Sequence, residues 1–235
     1  MRIPSDEGAT TMREAYQSDL RHIVDDLVDM ADLVGTALEN ATRSLLEGDL
    51  GLAERVIAAD PHIDERQVEL DSKAVELLAR QAPVATDLRL LVAALRMSSS
   101  LERMGDLCAH VALVARRTHP GLAVPEQHRE QIARMSSLAG AALAEASQVI
   151  AERDLALAAR VEEEDDEIDE LMLEISREIS RGEGYSNGQI VDLTLLIRFY
   201  ERIGDHAVSL VRRVGFLVTG DSLDTLHESV DVSEF

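Results

Sequence analysis

The pattern Glu-Arg-x-Gly-Asp is written twice in this chain, in "LERMGDLCAH" from Leu101 to His110 and in "YERIGDHAVS" from Tyr200 to Ser209. A second pair of segments repeats in the same order. "DLGLAERV" from Asp49 to Val56 matches "DLALAARV" from Asp154 to Val161 at six of eight positions, and "DPHID" from Asp60 aligns with "DDEID" from Asp165. Two ordered matches mark an internal duplication, so whatever fold one half adopts, the other half must adopt too. The offset is 105 residues for the earlier pair and 99 for the later one. The difference falls in a connecting loop, where chain length costs little.

Apolar spacing identifies the elements as helices. Leu20, Ile23, Val24, Leu27, Met30, Leu33, Val34 and Leu38 recur at steps of three and four, the spacing that buries one stripe of a helix and wets the rest. The pattern predicts a first helix from about Met12 to Glu47, a turn at "EGDLG", a second helix, a turn at "QAPVATD" from Gln81 to Asp87, and a third helix. Pro61 falls inside the second helix, where it either kinks that helix or opens a new one. "RRTHPGLAVPEQ", with Pro120, Gly121 and Pro125, divides the halves. Three more helices follow, over about Pro125–Arg153, Leu155–Arg181 and Asn187–Val218. The expected architecture is all-α: a disordered segment over 1–11, a three-helix bundle over 12–117, a linker over 118–125, a second bundle over 126–218 and an acidic tail over 219–235. The two bundles should be related by a pseudo-twofold axis, with Gly105 and Gly204 at matching close helix contacts.

Charge and composition narrow the function. With 45 acidic residues against 23 Lys and Arg, the chain carries a formal −22, which repels nucleic acid and anionic lipid while attracting metal cations and basic protein patches. Cys108 is the single cysteine, so no intrachain disulfide forms and a reducing compartment is expected. No apolar run is long enough to cross a bilayer, and the N-terminus has no signal-peptide core. A cytoplasmic protein without direct membrane insertion and without nucleic-acid binding is expected.

The acids of the repeat are spaced for a site. Glu102 and Asp106, Glu201 and Asp205, Asp60 and Asp64, and Asp165 and Asp169 each stand four residues apart. That spacing sets both carboxylates of a pair on one helix face, about 5–6 Å apart. One exposed pair costs only a few tenths of a kcal/mol, but carboxylates converging from neighbouring helices in a partly screened site repel by about 3 kcal/mol per close pair. Cations must answer them. Arg103 and Arg202 could do so as ion pairs, with Gly105 and Gly204 permitting close backbones at about 1 kcal/mol of helix propensity. Alternatively, the recurrence of the same acids in both halves points to an oxygen-ligated hard metal ion such as Mg²⁺, Mn²⁺ or Fe³⁺.

"PVATDLR" from Pro83 to Arg89, "ERMGD", "DDEID" and "ERIGD" together resemble the PhoU family of phosphate-signalling regulators, and "LLIRFYERIGDHAVSLVRRV" resembles its actinobacterial branch. The resemblance spans about Arg13 to Val218. It implies two three-helix bundles, each holding metal with acids of its second and third helices. The ligands so implied are Asp60, Asp64, Glu102 and Asp106, then Asp165, Asp169, Glu201 and Asp205. It also implies a negative regulator, not an enzyme, that couples the ATPase of the phosphate ABC transporter to the phosphate-sensing histidine kinase. A homodimer placed at the inner face of the membrane by its partners is expected. The chain departs from the family pattern at Pro61, and at "GYSNGQIVDL", which stands where the first half has "PVATDLR".

Other classes fit poorly. A ferritin-like di-iron enzyme needs Glu-x-x-His, and no His here has Glu three residues before it. No Gly-x-Ser-x-Gly or Gly-rich phosphate loop is present. His110 could join the first site, but its counterpart is Ser209, which favours an ordinary polar histidine. The remaining alternative is a structural helical adaptor whose acids pair with Arg and bind no metal.

Overall fold

The computed structural model describes residues 6–81, 83, 85–164, 166–182 and 184–220, and among them every regular element is helical. The first half contains α1 (Asp6–Glu47), α2 (Leu50–Gln81) and α3 (Ala85–Thr118). After a 3₁₀ turn at Glu126–His128, the second half contains α4 (Arg129–Glu152), α5 (Leu155–Glu164), α6 (Asp166–Ser180) and α7 (Asn187–Thr219). Helices α5 and α6 flank residue 165 and together stand where the first half has α2. Asp165 itself and the acidic tail beyond Gly220 lie outside the described residues.

Helix α1 starts at Asp6, so residues 6–11 are helical rather than the disordered segment expected there. Pro61 does not break α2, which runs unbroken from Leu50 to Gln81. Its ring faces solvent, so the loss is limited to one backbone hydrogen bond, at the carbonyl of Ile57. Gly48, with φ of 70°, turns the chain, and Asp49 Oδ1 accepts the Leu52 N–H at 2.9 Å to cap α2. Ser186 and Gln189 form a reciprocal capping box at the start of α7.

Both halves share one apolar core. Along α1, Leu20, Ile23, Leu27, Met30, Val34, Leu38, Ala41 and Leu45 are all buried at helical spacing, with Val24 and Leu33 packed at its edge. The contact between α1 and α4 is reciprocal. A Cβ on Gly35 would lie 4.0 Å from Leu143 Cδ2, and a Cβ on Gly140 would lie 3.9 Å from Leu38 Cδ2. Gly140 and Leu143 are each 105 residues after Gly35 and Leu38, the offset of the duplication. A contact in which i meets j′ and j meets i′ belongs to a twofold relation, here internal to one chain. At the same seam Thr42 Oγ1 is 2.8 Å from both Ser136 Oγ and the buried Tyr200 OH.

The seam glycines have room to spare, since a Cβ at either meets only ordinary van der Waals contact. Gly35→Ala and Gly140→Ala should therefore each raise stability by up to about 1 kcal/mol through helix propensity. Thermal denaturation checks this. A lower melting temperature in both would mean that the seam closes more tightly than these distances allow.

Candidate metal centre

The first cluster is assembled by the approach of α2 to α3 at Gly105. A Cβ there would sit 3.0 Å from Ile63 Cδ1, 3.3 Å from Ile63 Cγ2 and 3.6 Å from Asp60 Oδ1, so the absence of a side chain lets the acids of α2 reach those of α3. Asp64, Glu102 and Asp106 each bring a carboxylate oxygen to within 4.8 Å of the others. Asp64 is exposed and the other two are half-buried. Asp60 stands beside them. Burial raises its pKa, and the charges of Asp106 and Asp64 raise it further, while His110 opposes the shift. Glu102 is raised by burial and then by Asp106, with Arg103 acting against.

Arg103 pairs loosely with this cluster, 3.7 Å from Glu102 Oε2 and 3.6 Å from Asp106 Oδ2, and its side chain is 65% exposed. A solvated guanidinium at that range contributes little and does not neutralise three carboxylates. His110 is exposed and stacks on Phe199 with ring centroids 5.4 Å apart. It serves an inter-helix contact, although it is close enough to Asp60 to influence it.

The second half places the matching acids near one another, although among the described residues only Asp64, Glu102 and Asp106 in the first half approach within 4.8 Å of one another. Asp169 is raised by burial and by Asp205, so α6 and α7 again bring their acids together. Gly204 is buried at the place matching Gly105. Glu201 is almost enclosed, and burial followed by the charge of Asp205 pushes its pKa up to about 7. Arg198, not Arg202, supplies the direct partner: its Nη1 donates to Glu201 Oε1 at 2.9 Å. Glu201 Oε2 is buried without a hydrogen-bond partner among the described residues. The first half has Ser99 where the second has Arg198, and this three-residue spacing ahead of Glu201 was the available signal for the asymmetry. Asp165, the remaining expected ligand, lies outside the described residues.

These donors fit a hard cation. They are all carboxylate oxygens; three of the first half's converge within 4.8 Å, the second half's raise one another's pKa, and Glu201 presents a buried oxygen that has no partner among the described residues. In the first half Asp60, Asp64, Glu102 and Asp106 would hold the ion; in the second, Asp169, Glu201 and Asp205.

The raised acids set a pH dependence. In chelator-treated protein, folded Glu201 keeps a proton up to about pH 7 that the unfolded chain releases near its ordinary 4.5. The folded state then binds more protons across that window, so stability falls as pH rises through it. Melting temperature should fall from pH 4.5 to 7, recover when Mg²⁺ or Mn²⁺ is added at pH 7, and vary less with pH in Glu201→Gln. A melting temperature that rises over the window would contradict the burial of this acid.

Comparison with known proteins agrees with the duplicated frame. The PhoU domain family matches twice, over residues 27–115 and 132–214. The chain is 42% identical over 210 residues to the phosphate-specific transport system accessory protein PhoU homolog 2 of Mycobacterium tuberculosis, covering 89% of this chain and 99% of that protein. Its structure resembles the crystal structure of PhoU from Pseudomonas aeruginosa with a TM-score of 0.81 at 27% identity, over 88% of this chain and all (100%) of that one. It also resembles the phosphate transport system regulatory protein PhoU from Streptococcus pneumoniae, with a TM-score of 0.79 at 25% identity over 88% of this chain and 98% of that one. With both repeats matched and the helical frame shared at this level, the chain belongs to the PhoU family.

Proposed function

We propose that this chain is an accessory regulator of phosphate transport that represses the phosphate regulon by coupling the ATPase of the phosphate ABC transporter to the phosphate-sensing histidine kinase. The carrying observation is a carboxylate cluster in the first half, with the matching acids of the second half close enough to influence one another, on a frame shared with proteins named for phosphate transport. The chain acts by binding rather than by catalysis. Its acids hold hard cations such as Mg²⁺, Mn²⁺ or Fe³⁺, and a bound cation would reverse the local charge of each cluster. Partners that favour one sign of that charge would then dock or leave with metal occupancy.

Among the described residues no helix is long and apolar enough to cross a membrane. Contact with membrane proteins is therefore assigned to their cytoplasmic domains, and the protein works as a homodimer at the inner face. The −22 charge favours basic patches on those domains, with association that weakens as salt rises. The test is titration against the purified ATPase subunit and the cytoplasmic region of the kinase, at low and high salt, with and without metal. Metal-dependent binding to at least one is expected, together with derepression of the regulon when the gene is deleted. Binding to neither in any condition, with unchanged regulon expression, would overturn the proposal. The second reading, a structural adaptor without metal, is favoured by the Arg198–Glu201 pair and, more weakly, by exposed Arg103 beside Glu102 and Asp106.

A further inference from the structure

Seven-residue steps carry Arg89, Arg96, Arg103, His110 and Arg117 down one face of α3. Antiparallel α7 answers them in register, stepping back by seven each time. A Cβ on Gly220 would lie 3.3 Å from Arg89 Nη1, Arg213 feels the charge of Arg96, and His206 feels that of Arg103. Phe199 stacks on His110, and Asp192 pairs with Arg117. Among the described residues only the last layer sets an acid against a base, in a chain whose 45 acids outnumber its 23 Lys and Arg.

The layer of Arg96 and Arg213 is the least compensated. Arg103 at least has Glu102 and Asp106 beside it. Among the described residues neither Arg96 nor Arg213 is in an ion pair, and the charge that bears on half-buried Arg213 is another cation. Arg213 Nε is buried without a hydrogen-bond acceptor among the described residues. So is Arg89 Nε, although Arg89 Nη2 donates to Thr86 Oγ1 at 3.2 Å. Among the described residues, exposed Arg96 and half-buried Arg213 thus face one another with no carboxylate between them, and Arg89, two helical turns away on the same face, has only Thr86 as a partner.

We infer that the Arg96–Arg213 layer, with Arg89 alongside, binds a phosphate group. A tetrahedral dianion offers acceptor oxygens in several directions, so it can accept N–H bonds from Arg96 and Arg213 together and compensate the charge that these two cations leave unanswered. The site lies apart from the carboxylate clusters, since Arg96 precedes Glu102 and Arg213 follows Asp205 by more than a helical turn. Its test therefore does not depend on metal binding. The group could arrive as inorganic phosphate or as the headgroup of an anionic lipid.

Calorimetric titration with inorganic phosphate should use the full chain after chelator treatment, so that no metal at the carboxylates can bridge the anion. Saturable binding is expected, with competition by sulfate. Arg96→Gln and Arg213→Gln should each weaken it by about tenfold or more, as for loss of a charge-assisted hydrogen bond. Arg116→Gln, an exposed change elsewhere on α3, should leave it intact. Arg96 is itself exposed, so its variant tests the site without disturbing the fold. A parallel arm measures sedimentation with phosphatidylcholine vesicles with and without phosphatidic acid; retention that needs phosphatidic acid and is lost in Arg96→Gln would assign the group to a lipid. No saturable phosphate binding together with no vesicle retention, or binding that survives both arginine variants unchanged, would overturn the inference.

Discussion

A variant carrying Glu102→Ala, Asp106→Ala, Glu201→Ala and Asp205→Ala should purify without bound metal while keeping its helix content. Each substitution removes a carboxylate from a cluster whose members raise one another's pKa, so the folded apo protein loses repulsion rather than support. For exposed like-charge pairs on a helix the relief is a few tenths of a kcal/mol per pair. Glu201 is the exception, because its removal leaves Arg198 without its 2.9 Å acceptor; Arg198 is 53% exposed, so solvent replaces that bond. The two half-variants separate the sites: the Glu102/Asp106 pair should cost the first half's metal alone, and the Glu201/Asp205 pair the second's. Elemental analysis and circular dichroism read both quantities. Unchanged metal content in the fourfold variant would place the metal elsewhere, and collapse of the helical signal would mean that the acids serve as ion pairs that hold the helices together.

Gly105→Leu should empty the first site without touching a carboxylate. Its Cβ alone would meet Ile63 Cδ1 at 3.0 Å and Cγ2 at 3.3 Å, and the remaining atoms of leucine have no space between α2 and α3. Overpacking of this kind costs about 1–3 kcal/mol, only partly offset by the gain of up to about 1 kcal/mol in helix propensity. The strain is relieved when α2 moves outward, which carries Asp60 and Asp64 away from Glu102 and Asp106. Metal content should drop by the first half's share and the melting temperature should fall. Gly215→Ala makes the control, since a Cβ at Gly215 meets nothing within 4 Å. Retention of full metal content in Gly105→Leu would show that the α3 carboxylates bind without α2.

The duplication and the helical periods carry most of the fold, because both are local or repeated and need no knowledge of contacts. The glycine of Glu-Arg-x-Gly-Asp could likewise be read as a close approach, which Ile63 against Gly105 bears out. Pro61 was undecidable from sequence because its cost depends on burial, and it proves to face solvent in a helix held by its neighbours on either side. The start of α1 at Asp6 exceeds the expected Met12 because the apolar stripe, which guided the boundary, begins only further along. The reciprocal Gly35–Leu143 and Gly140–Leu38 contacts follow the offset of 105, yet isolated small residues in alanine-rich helices give little signal on their own. The Arg198–Glu201 pair was hidden for a different reason. The repeat points to Arg202 as the counter-charge, whereas three-residue spacing on the helix lets Arg198 bond Glu201 directly and leaves Arg202 a smaller, longer-range influence.

Anomalous diffraction from crystals of the protein grown with Mn²⁺ and without chelator tests the metal centre most directly. A peak against Asp64, Glu102 and Asp106 and a second against Asp169, Glu201 and Asp205 are expected, with the carboxylates drawn in around them. Density that lacks both peaks, with Arg103 and Arg198 closed onto the acids instead, would contradict the metal centre and leave the duplicated carboxylates as ion-pair partners.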